Sequence, residues 1–222
     1  MKKKLNIKYR LILPIALLGI VALISNLLAV TNIIKVNDNA SNIADNYMEG
    51  KTHLAQIHQS VMNIHKMALS HIVATDYNTM ITLVNNIKDA EQELDGMLAD
   101  YEIYISDDDK ETYNALLSDY DSLKHSLVFL VCASAASKTQ DAYAFANGDV
   151  ASCNTAVENN IRILDESIST RTEQARTQLA SVYLSSMITN SASTLICIVL
   201  VLLTVSLILK SEVKPITNVI DT

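Results

Sequence analysis

The stretch IIKVNDNASNIADNYMEGKTHLAQIHQSVMNIHKMALSH, Ile33 to His71, decides the fold. Ile33, Val36, Ala40, Ile43, Tyr47, Gly50, Leu54, Ile57, Val61, Ile64, Ala68 and His71 follow one another in steps of three and four. That spacing returns to one face of a helix every two turns, the signature of a rod packed along a seam. The pattern predicts one helix running without a break to about Thr75. Thr75-Asp76-Tyr77-Asn78-Thr79 then supplies side-chain oxygens suited to a turn and a capped helix start.

Toward the amino terminus the seam runs into an uncharged apolar segment, Leu11–Ile34, held between Arg10 and Lys35. A second such segment, residues 191–209, ends at Leu209 just before Lys210. About 20 apolar helical residues span a bilayer core, so each segment is expected to cross a membrane. Lys2, Lys3, Lys4, Lys8 and Arg10 precede the first span, and Lys210 and Lys214 follow the second. Basic flanks prefer the cytoplasm, which predicts both termini inside and the middle outside. The basic start and apolar run also fit a signal peptide. No small-x-small cleavage site follows, and the helical pattern continues, so an uncleaved anchor is expected. The predicted organisation is residues 1–10 in the cytoplasm, 11–34 as the first span, 35–190 as one extracytoplasmic domain, 191–209 as the second span and 210–222 as a cytoplasmic linker.

The middle reads as helical throughout. Both prolines of the chain, Pro14 and Pro215, lie outside it, and the whole chain has only 4 Gly. Sandwiches and barrels need frequent Gly and Pro turns. A second helix carries Met80, Leu83, Ile87, Ala90, Leu94, Met97, Tyr101 and Tyr104. Ser106-Asp107-Asp108-Asp109-Lys110-Glu111 ends it and can cap the third, with acids at the favourable end of the helix dipole. The third helix carries Tyr113, Leu116, Tyr120, Leu123, Leu127 and Leu130. It is apolar or small all round from Ser126 to Ser137, which predicts burial on every side. Asn147-Gly148-Asp149 is the expected turn into a fourth helix bearing Val157, Ile161, Leu164, Ile168, Ala175, Leu179 and Val182. On these boundaries the second helix is several residues shorter than the third, leaving an overhang. The fold class is therefore all-α: an antiparallel up-down-up-down four-helix bundle continuous with two transmembrane helices.

Charge and chemistry narrow the function. Between the spans 22 acids stand against 9 bases, a net of −13, which disfavours nucleic acid and close contact with anionic lipid. The triple Asp lacks the alternating ligands, central Gly and terminal Glu of an EF-hand. No nucleophile triad, phosphate loop, dinucleotide fingerprint or zinc spacing occurs, so no enzyme activity and no cofactor are expected. His58, Met62 and His65 have chelating spacing but read as flanks of the seam, and no metal site is expected. About the Asn147-Gly148 turn, Cys132 and Cys153 would differ in height by roughly 15 Å. That is too far apart for a disulfide.

The residues after the second span add a local motif. Glu212-Val213-Lys214-Pro215-Ile216 is similar to the start of a HAMP domain, where a Pro followed by an aliphatic residue opens the first cytoplasmic helix. With the Asn147-Gly148-Asp149 turn and the two-span plan, the chain resembles the amino-terminal part of a methyl-accepting chemotaxis receptor with a four-helix-bundle sensor. The resemblance implies a homodimer that senses a small molecule, or a ligand-binding protein, near its outer end. A small axial shift of the fourth helix would pass through Lys210, Lys214, Pro215 and Ile216 to HAMP, and from there to a cytoplasmic kinase and adaptor. Residues 210–222 are too few for a whole HAMP domain and signalling tip, so a longer receptor is expected. A membrane histidine kinase would share these features. A structural membrane protein that holds a partner is a third reading.

For a ligand, cations and histidines near the outer end are the natural candidates: His65, Lys66, His71 and Arg162. A guanidinium grips a carboxylate through two hydrogen bonds, which Lys cannot do. Receptors of this kind for acidic amino acids use Arg on the first helix, which has none here; an acidic amino acid is therefore not the expected ligand. His71 falls on the core side of the seam, where it reads as a hydrogen-bonded core histidine; the alternative is that burial lowers its pKa and makes the outer end acid-sensitive.

Overall fold

The computed structural model describes residues 7–209, and every element among them is helical. In chain order these are α1 (Ile7–Asn42), α2 (Glu49–Val73), α3 (Tyr77–Tyr101), α4 (Lys110–Ala135), α5 (Thr139–Phe145) and α6 (Ala151–Ile208). Single π-turns, Ile43–Met48 and Ala146–Val150, link α1 to α2 and α5 to α6. Four rods result, because neither π-turn ends its helix. Among the described residues, 41–175 form one compact unit and 7–40 with 176–209 another.

The first unit is the bundle. About one buried residue per helical turn fills its centre: Leu54, Ile57, Val61 and Ile64 from α2, Leu94 and Leu98 from α3, Leu116, Leu123 and Leu127 from α4, and Val157 and Leu164 from α6. All but Leu98 are the seam positions, so the apolar stripe selects the inward face of each rod; on α3 Leu98 is buried where the stripe named Met97, which is only partly buried. Cross-helix bonds give the antiparallel order. Tyr113 donates to the Leu98 carbonyl (2.6 Å), Lys124 meets Asp95 (3.1 Å), and Asn160 donates to Asp119 (2.8 Å). At the α3 start Asp76 caps as expected, accepting from the Thr79 amide at 2.8 Å.

The turn between the third and fourth rods is not at Asn147-Gly148-Asp149. It is at Ala136-Ser137-Lys138. The Lys138 amide donates to the Ala133 carbonyl and the Ser137 amide to the Ser134 carbonyl, both at 3.0 Å. Ser137 takes φ 57°. This is a Schellman ending with serine in the left-handed position that glycine usually fills. Gly148 instead lies inside the π-turn of the fourth rod. The correction removes the overhang, since α3 has 25 residues and α4 has 26. It also brings Cys132 close to the turn. The three cysteines are free.

Two further expectations change. The first rod is interrupted by its π-turn, which absorbs one extra residue. The inward positions before it are accordingly Asn32, Val36 and Asn39, not Ile33 and Ala40. The end of α4 is not buried all round: Val128 and Phe129 are about 60% exposed. Small residues on its other faces, Ala133 and Ser134, do pack inward.

The second unit pairs the start of α1 with the end of α6. Its outward side chains are large and apolar, such as Leu13, Leu23, Leu27 and Leu202. Its seam mixes apolar residues such as Leu18 and Leu200 with small and polar ones, Ser186 and Thr204 buried among them, and Ser193 donates to Ser25 at 2.7 Å. Large apolar side chains outward, with small and polar residues recurring along the contact, suit helices packed in lipid. Both helical runs are long and apolar enough to cross a membrane, with mean hydropathy 2.5 and 2.1 over their most apolar windows.

Candidate functional site

Two polar clusters interrupt the apolar seam of the bundle, one at each end. At the inner end, where the chain passes to and from the apolar segments, Asp109 is only 6% exposed. It sits in the short 3₁₀ turn Asp107–Asp109 that opens α4. Its Oδ2 accepts from Ser106 Oγ at 2.6 Å and from Arg171 Nη2 of α6 at 2.8 Å. The Arg171 guanidinium also lies over the ring of Tyr47, 5.8 Å from its centroid. Tyr47 belongs to the π-turn of the first rod. Three rods therefore meet at one charge pair whose carboxylate is buried.

Aromatic rings floor this cluster. Tyr101 packs on Tyr104 and Tyr113, and His53 stacks on Tyr104 at 5.4 Å. Burial pushes the Tyr101 hydroxyl up to about 12, with Arg171 pulling the other way and Asp109 adding to the rise. Gly50 makes the close approach possible: a Cβ there would lie 2.9 Å from Ile168 Cδ1 and 3.0 Å from the Tyr104 ring.

At the outer end His71 is 1% exposed. Ser134 Oγ donates to the His71 carbonyl at 3.0 Å and lies 2.9 Å from His71 Nδ1. A hydroxyl has one proton, and this one is spent on the carbonyl. Both contacts are hydrogen bonds only when Nδ1 carries a ring proton and donates to Ser134 Oγ. Burial lowers the His71 pKa from 6.5. The pair staples the end of the first rod to the end of the third, beside the turn at Ser137.

Residues 4–183 match the family model of the four-helix-bundle sensory module for signal transduction. The chain belongs to that family of sensory modules. A search of curated proteins returned no significant match to it. The family is sensory in kind, and the described residues of this module pair polar clusters with packing contacts.

The sensory module does not gather the four sequence-derived candidates into one place. His71 is in the core against Ser134. Arg162 is exposed and held on its own helix by Glu166 (2.7 Å) and Asn159 (2.8 Å). Lys51 of α2 bonds Ser169 and faces Asp165. In that antiparallel register Arg162 is level with about residue 56, roughly 20 Å short of His71. Lys66 is exposed on a groove of ≈670 Å³ between α2 and α3, with Gln56, Glu93 and Met97, and His65 is half-buried beside it. A second groove, ≈600 Å³, runs between α3 and α4 and is lined by Glu102, Tyr113, Asn114 and Lys124. Lys210, Lys214, Pro215 and Ile216 lie outside the described residues.

Sequence reasoning missed Arg171 and its partners. The signal was a gap: the fourth-helix stripe steps from Ile168 to Ala175 and skips the position between, which Arg171 and Thr172 fill.

Proposed function

We propose that the chain is the sensing and membrane-crossing region of a chemoreceptor that passes an external signal to a cytoplasmic kinase pathway. One observation carries this reading: α6 is a single helix, Ala151–Ile208, that holds both bundle core residues and an apolar segment fit to cross a bilayer. An effector that moves α6 in the bundle needs no joint to be felt farther along the same helix. The basic flanks put both termini in the cytoplasm and the bundle outside. Lys210, Lys214, Pro215 and Ile216 form the exit into HAMP. The receptor acts as a homodimer, and its effector is a small molecule or a ligand-binding protein.

The test is a fusion of residues 1–222 to the HAMP and kinase-controlling part of a characterised chemoreceptor, expressed in cells lacking other receptors. Kinase output that changes with a medium component or compound supports the reading. Output that stays constant across a broad effector panel, with the fusion correctly inserted, overturns it.

A further inference from the structure

We infer that the Arg171–Asp109 pair is a clasp that sets the axial register of α6 against the rest of the bundle. Above it, α6 meets its neighbours mainly through Val157, Ile161, Leu164 and Ile168, apolar contacts that change little over a small slide. Other polar contacts reach this helix from the bundle, among them Ser126 Oγ with Cys153 Sγ at 3.6 Å, where sulfur is a weak partner. Lys51 with Ser169 and Asp165 is about half exposed, so water replaces it readily. Asn160 to Asp119 pairs a neutral donor with a half-buried acid. Asp109 differs because its carboxylate is buried, and losing Arg171 leaves a charge with Ser106 alone.

Geometry makes the clasp sharp. A slide of α6 by about 2 Å stretches the 2.8 Å contact to about 3.4 Å, the limit of a hydrogen bond. The Arg171 fork is planar and its contact directional, and Tyr47 backs it on the other side. Smaller displacements keep the pair, and larger ones break it, so α6 has one preferred position instead of a continuum. Arg171 is thus a positioning residue for the helix that transmits.

The inference rests on the proposed role of α6, but its test reads position and needs no output. Ser25 and Ser193, whose hydroxyls touch in the apolar unit, serve as the reporter. The full chain, with Cys132, Cys153 and Cys197 replaced by Ala and with Ser25→Cys and Ser193→Cys, is oxidised in native membranes and its cross-linking rate followed. Arg171→Gln, Asp109→Asn and the exchange Asp109→Arg with Arg171→Asp are compared in that background, each checked for a cooperative thermal transition. The expected result is a fall of about threefold or more in rate for each single variant, since disulfides tolerate little change in Cα separation, with recovery in the exchange. Unchanged rates in folded Arg171→Gln or Asp109→Asn overturn the clasp. If both single variants lose the transition, the pair serves folding and the inference also fails. A silent fusion with normal cross-linking would count against the receptor reading alone.

Discussion

Replacing His71 by Gln should flatten the acid sensitivity of the bundle, and the size of the effect follows from the His71–Ser134 pair. Folded His71 binds its proton less readily than the unfolded chain, because burial lowers its pKa below 6.5. Below pH 6.5 the unfolded chain therefore takes up a proton that the folded one does not. Stability falls as pH drops, by up to about 1.4 kcal/mol per pH unit, until the folded pKa is reached and the loss levels off. For a domain of this size that is about 4 °C of melting temperature per pH unit. Glu91, whose pKa burial raises, acts in the opposite sense at lower pH, but it is common to both proteins. Gln retains an N–H that can reach Ser134 Oγ and has no titration. The assay is urea or thermal unfolding of a soluble protein spanning residues 35–190, followed by circular dichroism from pH 7.5 to 5. The parent should lose stability more steeply than His71→Gln between pH 6.5 and 5. Equal slopes would refute the argument that a buried neutral imidazole holds the outer end.

Other consequences are open to simpler measurements. Ser137→Gly should raise stability by about 1 kcal/mol, because glycine removes the left-handed penalty that serine bears at φ 57°; Gly148→Ala, in the π-turn and without a Cβ clash, should do no harm. Leu123→Ala, at a site with 0% exposure, should cost about 2–5 kcal/mol in a chemical unfolding curve. Cys132 is exposed near the outer turn, so a membrane-impermeant maleimide should label it in intact cells; labelling only after lysis would reverse the proposed orientation.

Much of the fold was legible because seam residues repeat in steps of three and four, a pattern that only a packed helix satisfies. The third turn was not. Asn147-Gly148 carries the usual turn residues, while Ser137 reaches the left-handed region with no glycine to mark it. The π-turns were hidden too, since one extra residue in a turn leaves the apolar count of a rod unchanged. In the candidate site, His71 was readable from its seam position. Arg162 drew notice as a cation, yet Glu166 four residues on was visible as its partner. Arg171 could not be matched with Asp109 from the sequence, because their pairing depends on which rod faces which.

In the proposed receptor α6 itself carries the signal. The direct test measures kinase output of the receptor fusion after Gln178→Pro, which interrupts α6 without touching the bundle core. Proline within a helix removes a backbone bond and kinks or breaks the rod. With α6 as the carrier, an effector should still raise the melting temperature of the bundle while kinase output no longer responds. A response of normal size with the helix broken would contradict it.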